Sequence, residues 1–242
     1  MTDSDNTILN FTNLGWKKPN ADGEKSWVFR GISNQIVTGQ IVALRGPNGC
    51  GKTSLLEVLA GWRPATDGDV HRPAKRVMLV PAEPRIVFFP WYTLERSLQA
   101  YEVFAVGCGC SKAILRDRRE QLVTTFGLET HLCHFPHELS RGYRARGALA
   151  CALLLSPKVM LLDEILSSMD QASKSKIAEF FLHEARENGL AIVIVSHEDS
   201  PATAMADTVW QLDADTPDLH VYHNDHGDRS GSASRELRRE QA

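Results

Sequence analysis

The sequence predicts an α/β protein built on a mostly parallel sheet, and three observations carry that prediction. Four short aliphatic runs, 41–44, Val77–Val80, Val159–Leu162 and Ala191–Val195, each give way to polar residues, the pattern of strands buried on both faces. Between the last two runs, Gln171–Asn188 carries Ile177, Phe180, Phe181 and Ala185 at helical spacing and meets Gly189 as a stop. Strand, helix, strand is the crossover of a parallel sheet. A glycine-rich loop separates the first run from the helix-like LLEVLAGW, so strand, loop and helix also follow one another near the N terminus.

Taken in order, residues 27–45 form an apolar stretch with a turn signal at Thr38 and Gly39, then the buried run 41–44. Pro81 closes the second run. The middle of the chain, about 91–152, reads differently: 94–105 and 111–126 have helical spacing and no strand pattern. A helical insertion into an α/β core is the economical reading. From residue 219 the chain turns polar and small (HNDHGDRSGSASRELRREQA), which predicts a domain over 1–218 and a mobile tail over 219–242. No repeat of solenoid length is visible.

The chain has 242 residues, 43% of them hydrophobic and 24% charged, ample for one sizeable core. Lys and Arg total 27 against 30 Asp and Glu, a formal net charge of -3. This lacks the basic excess of a nucleic-acid surface, so no nucleic-acid partner is expected and any anion must be held locally. The longest strictly apolar run, 148–155, is far below the ~18 residues of a bilayer span, and the polar start MTDSDNT has no secretory apolar region. The expected location is the cytosol, with membrane attachment only through a partner. Five cysteines, Cys50, Cys108, Cys110, Cys133 and Cys151, form no CxxC pair and no zinc spacing, so reduced thiols are expected.

Gly46, Pro47, Asn48, Gly49, Cys50, Gly51, Lys52, Thr53 and Ser54 follow the run 41–44 and precede the helix. This is GxxxxGK[ST] in the strand-loop-helix context that the motif requires. Glycines let the backbone curl so that N–H groups converge, and the following helix begins with unpaired donors and partial positive charge. The pattern predicts a nest for phosphate, with Lys52 a point charge between the β- and γ-phosphates and the Thr53 hydroxyl a ligand of Mg2+. Cys50, inside the loop, is expected to be alkylated by thiol reagents unless nucleotide is bound.

Downstream, Val159–Leu162 delivers Asp163 and Glu164 to the C-terminal end of a strand, where open α/β sheets bind ligands. Asp163 is assigned to Mg2+ and Glu164 to the attacking water, as general base or positioning group. His197, which follows Ala191–Val195 and Ser196, is assigned to the γ-phosphate. ATP and Mg2+ are the expected cofactors, with Lys52, Glu164 and His197 catalytic.

These pieces in this order, together with residues 139–146 (LSRGYRAR), resemble the nucleotide-binding subunit of ABC transporters. The segment looks like the family's signature, LSGGQ followed by a basic helix. Ser140 and Gly142 stand where the motif has its phosphate-binding Ser and second Gly, while Arg141 and Tyr143 replace the first Gly and the Gln. The resemblance covers about residues 8–215. It implies a P-loop NTPase core with a mostly parallel sheet, an N-terminal antiparallel β part and a helical subdomain at about 91–152.

The resemblance also implies an aromatic that stacks on adenine. Trp16 in LGWKK holds that position, with Trp27 and Phe29 as competitors. Ser168, Met169 and Asp170 align with the loop that faces the other subunit. Residues 80–85 (VPAEPR) match the loop where a Gln senses Mg2+ and couples to the membrane subunit; here Ala82 takes the place of that Gln and Glu83 is the candidate substitute. With the altered signature, this implies slow hydrolysis or one site of an asymmetric pair. Pro90, Trp91, Tyr92 and Thr93 are similar to the PWxT stretch of nitrate, sulfonate and taurine importer ATPases.

The implied function is to bind and hydrolyse ATP and so energise an ABC membrane transporter, the signature loop of one subunit closing over the phosphate loop of another. The implied partners are a second ATPase subunit and transmembrane permease subunits, which places the chain at the cytoplasmic face of a membrane with the helical insertion as docking surface. Two alternatives stay open on the residues: a soluble ATPase of this family acting on a protein assembly, and a degenerate nucleotide-gated binding subunit.

Overall fold

The computed structural model describes residues 6–19, 25–72, 77–196, 204–213 and 218–223. Strands β1 (Thr7–Pro19), β2 (Lys25–Val37) and β3 (Ile41–Arg45) are followed by α1 (Lys52–Ala60), β4 (Asp67–His71) and β5 (Val77–Val80). Helices α2 (Leu94–Gly107), α3 (Lys112–Thr125) and α4 (Arg141–Leu154) occupy the middle. The chain then alternates through β6 (Val159–Leu162), α5 (Gln171–Asn188), β7 (Ala191–Val195), β8 (Thr208–Leu212) and β9 (Leu219–His223).

Six strands form one sheet in the order β5-β6-β7-β3-β8-β9, and β2-β1-β4 form a second, antiparallel sheet. All pairs in the first are parallel except β8 with β9. The period-two alternation of a strand sorts its side chains between two cores. Ile41 and Ala43 of β3 join Met160, Leu162, Ile192 and Ile194 under the helices. Val42 and Leu44 face the other way, with Leu161 and Val193, against α1 and the antiparallel sheet. Three layers result: antiparallel sheet with α1, parallel sheet, and helices.

The helix ends follow local chemistry. Thr93 caps α2 by accepting from the Arg96 N–H (3.3 Å), and Asp170 caps α5 by accepting from the Ser173 N–H (2.9 Å). At the far end of α5, Gly189 takes φ 66, the left-handed stop expected there.

One boundary requires correction. The tail expected from residue 219 begins too early, because Leu219–His223 pairs antiparallel with β8, from Leu212 opposite Leu219 to Thr208 opposite His223. The polar histidines of LHVYH obscure an alternation in which Leu219 and Val221 pack against the α1-side core. Residues 224–242 lie outside the described residues.

Candidate nucleotide site

The phosphate loop leaves the C-terminal end of β3, the strand flanked by β7 and β8, and enters α1 through Gly51, whose φ of 108 only glycine adopts without strain. Space enforces the same choice. A Cβ on Gly51 would lie 2.4 Å from Val28 Cγ1, and one on Gly46 would lie 2.4 Å from the Leu212 carbonyl oxygen. The loop is thus pressed between β2 and the end of β8.

Lys52 is 8% exposed. Its ammonium donates to the carbonyls of Gly46 (2.8 Å) and Pro47 (2.9 Å), so the cation predicted to meet phosphates lies folded over the loop that would hold them. Thr53 donates from Oγ1 to Asp163 Oδ2 at 2.8 Å. That bond joins the start of α1 to the end of β6 and brings the two predicted Mg2+ ligands together. Asp163 is itself fixed by its N–H, which donates to the Val80 carbonyl at the end of β5 (3.0 Å).

Burial holds the Asp163 carboxyl above the usual carboxylate range. The Thr53 hydrogen bond opposes the shift, Glu164 adds to it, Lys52 opposes it, and Glu57 adds to it. The balance leaves a carboxylate short of positive charge beside a hydroxyl. Hard oxygen donors with surplus negative charge fit Mg2+, so Thr53 and Asp163 are the residues that would hold it.

Glu164 follows at φ 49, a left-handed backbone unusual for glutamate, and opens the 3-10 turn Ile165–Ser168. Strain at such a position goes with functional sites, and the Glu164 charge acts on the adjacent Asp163 carboxyl. His197 lies outside the described residues, as does any contact it makes.

Ser140 and Gly142 stand apart from this group. Ser140 caps α4, its Oγ accepting from the Tyr143 N–H at 3.3 Å, and a Cβ on Gly142 would meet the Ser168 carbonyl oxygen at 3.2 Å. Gly142 therefore packs on the loop that follows Glu164, and no hydrogen bond joins either residue to the phosphate loop among the described residues. Trp16 is 8% exposed, and the Arg63 guanidinium lies 5.0 Å from the centre of its ring. Phe29 is buried, while Trp27 is half-buried beneath Lys17 (4.4 Å) and Arg30 (4.9 Å). Arg63 escaped the sequence reading because a cation over a distant aromatic leaves no spacing signal. Ala82 and Glu83 are exposed, with Glu83 Oε1 turned to Arg85 at 3.2 Å.

Cys50 is placed differently from expectation. Its side chain is buried and belongs to the α1-side core, with the Sγ beside Gly46. Burial limits thiol reactivity. Cys50 is expected to react with a maleimide at least ~10-fold more slowly than the exposed Cys108 and Cys133, measured by peptide mass spectrometry. Equal labelling would mean that the loop opens freely.

A phosphate loop after a central parallel strand, tied by hydrogen bond to an acid pair two strands away, defines a P-loop nucleotide-binding protein. The chain belongs to the ABC transporter family, whose model matches residues 29–167, more than half of its length. The spermidine/putrescine import ATP-binding protein of Marinobacter nauticus is 32% identical over 211 residues, covering 85% of this chain and 55% of that one. This chain thus spans about half the length of that relative. An aliphatic sulfonates import ATP-binding protein of Xanthomonas axonopodis pv. citri is 33% identical over 189 residues, covering 75% and 73% of the two chains. In fold, the chain matches the dimeric structure of a post-hydrolysis state of an ATP-binding cassette bound to ADP and Pi, with a TM-score of 0.78 at 19% identity over 89% of this chain and 98% of the other.

Proposed function

We propose that this chain is the ATP-binding and hydrolysing subunit of an ABC importer. The observation that carries the reading is the 2.8 Å bond between Thr53 and Asp163, which brings the phosphate loop and the acid pair into one site. Both relatives are import ATP-binding proteins, which supports import as the direction of transport. Their names give polyamines in one case and sulfonates in the other at nearly equal identity, so substrate choice is assigned to other chains.

In this reading Lys52 exchanges the Gly46 and Pro47 carbonyls for phosphate oxygens, and the N–H groups at the start of α1 meet the same anion. Bound Mg2+ supplies neutralisation of the phosphate charge at Thr53 and Asp163. Glu164 takes the proton of the attacking water as its oxygen bonds to the γ-phosphorus and ADP leaves. Ala82 offers no amide to orient that water, and Glu83 is held by Arg85, which supports a slow turnover.

The signature turn completes the site from a second subunit. One phosphate loop and one signature segment occur per chain, so a two-fold pair repeats the same contact twice. The Ser140 oxygen is used as a cap acceptor, which leaves its hydroxyl proton available to a phosphate across the pair. ATP then favours closure, and hydrolysis removes the contacts that hold it.

No described helix is long and apolar enough to cross a membrane, and the permease subunits are assigned that part. Their docking surface is assigned to the helical insertion and the turn before it, where Ile86, Trp91 and Phe104 are exposed apolar side chains. Tyr101 ties α2 to that turn, donating from its hydroxyl to the Val87 carbonyl (2.8 Å) while its ring lies 6.5 Å from that of Phe104.

Glu164→Gln tests the assignment. In protein purified from membranes with its native partner, ATP turnover is expected to fall about 100- to 1000-fold with nucleotide affinity retained. Equal rates in wild type and variant would overturn it.

A further inference from the structure

Tyr143, the residue that replaces the signature Gln, does not extend into solvent. Its ring stacks on the imidazole of His131, with centroids 3.6 Å apart and planes 22° apart. The Arg146 guanidinium lies 4.0 Å from the centre of the same ring. Two groups that close cannot share one face, so the ring is clamped between an imidazole and a cation.

Each jaw of the clamp is anchored elsewhere. Arg146 Nη1 donates to the Phe126 carbonyl at the end of α3 (2.9 Å). His131 closes the 3-10 turn Glu129–His131, and the carbonyls of Leu132 and His134 just beyond it accept from the N–H groups of Glu95 and Leu94 (both 2.9 Å). Those two donors are the first residues of α2, the helix that follows the exposed Trp91 and also carries Phe104. From the other side, the Tyr143 N–H closes the Ser140 cap, and Gly142 rests on Ser168. A continuous set of contacts therefore runs from the start of α2 through the 131–134 turn and the Tyr143 ring to the signature turn.

We propose that Tyr143 is a positioning residue: clamped between His131 and Arg146, it sets the pose of Ser140 and Gly142 from the turn that carries the start of α2, and so joins the helical insertion assigned to docking to the surface that meets a second subunit. This rests on the reading that the signature turn closes over the phosphate loop of another copy. A side-chain clamp on the signature helix gives this chain a mechanical link outside the loop where Ala82 has replaced the Gln.

The imidazole adds a pH signature. Burial, then the neighbouring His134, then Arg146 hold His131 below its ordinary value. The other groups placed against it are the Thr130 hydroxyl (2.9 Å from Nδ1) and the Tyr143 ring itself. A histidine lowered in the folded state contributes stability that is present above its unfolded value and is lost as pH falls through its folded one. As pH falls through that lowered value, a second cation arrives against a clamp that already holds Arg146.

The test uses the full chain carrying Glu164→Gln, so that bound ATP persists, with ATP-driven dimer formation read by sedimentation and nucleotide affinity read separately. Tyr143→Gln is expected to weaken the dimer about tenfold, the loss of a stack and a cation–π contact, while nucleotide affinity stays at the parent value. Tyr143→Phe, which keeps the ring, should recover the dimer. His131→Ala should weaken it, and His131→Phe should restore affinity while abolishing the fall at acid pH. An unchanged dimer in Tyr143→Gln, or an equal drop in nucleotide affinity, would sink the clamp. A parent that binds ATP and stays monomeric would instead overturn the closure reading beneath it.

Discussion

Lys52→Ala is expected to weaken ATP binding by at least ~100-fold, since the side chain is assigned two charge-assisted hydrogen bonds to phosphate, each worth about 1.5–3 kcal/mol. Among the described residues that act on Asp163, Lys52 supplies the positive charge. Lys52 is buried at 8% exposure, and its ammonium already contacts the carbonyls of both Gly46 and Pro47. The next charges around Asp163 are the carboxylates of Glu164 and Glu57. Removing the cation therefore leaves a site whose side-chain charge is negative. Fold stability should change little, because the loop around Pro47 and Asn48 is exposed and water can satisfy the freed Pro47 carbonyl. Titration with a fluorescent ATP analogue, beside a thermal melt, separates the two effects. An affinity within threefold of wild type would show that Lys52 keeps its loop contacts when nucleotide binds.

The parts of this site that sequence exposes are those defined by neighbours in the chain. Val159–Leu162, Ala191–Val195 and Gln171–Asn188 are legible to their ends because both strands are buried on both faces and the helix has Asp170 and Gly189 at its ends. The first strands were legible only through family resemblance. Register shifts between Phe11 and Leu14, and again between Leu14 and Trp16, break the period-two pattern of β1 that marks a half-exposed strand. The site divides in the same way. Thr53 and Asp163 each sit in a local motif, and the sheet order then brings them together. The inward Cys50, the Arg63 cover on Trp16 and the Tyr143 clamp depend on residues brought together by folding, and no local pattern encodes them.

The helical insertion is also fixed to the core by charge, and this sets the second large effect. Arg118 of α3 binds Glu184 of α5 through both terminal nitrogens, at 2.9 and 2.5 Å, and the Glu184 side chain is 5% exposed. Asn188 donates to the same carboxylate at 3.1 Å, and the guanidinium lies 5.3 Å from the centre of the Phe180 ring. A bidentate pair of this kind is satisfied while whole and costly when halved. Arg118→Ala leaves the carboxylate buried with only Asn188, and is expected to cost about 3–5 kcal/mol, seen as a fall in Tm of roughly 6–20 °C for a chain of this size. Arg118→Met with Glu184→Leu replaces both charges by apolar groups of similar volume and should recover most of that loss. The comparison isolates the meaning of the pair: an uncompensated buried charge is rescued by removing it, whereas a defect in helix packing is not. If Arg118→Ala loses less than about 1 kcal/mol, the range of an exposed ion pair, water reaches Glu184, and the insertion is held to α5 by apolar contacts such as Phe126 on Phe180 (5.3 Å between ring centres).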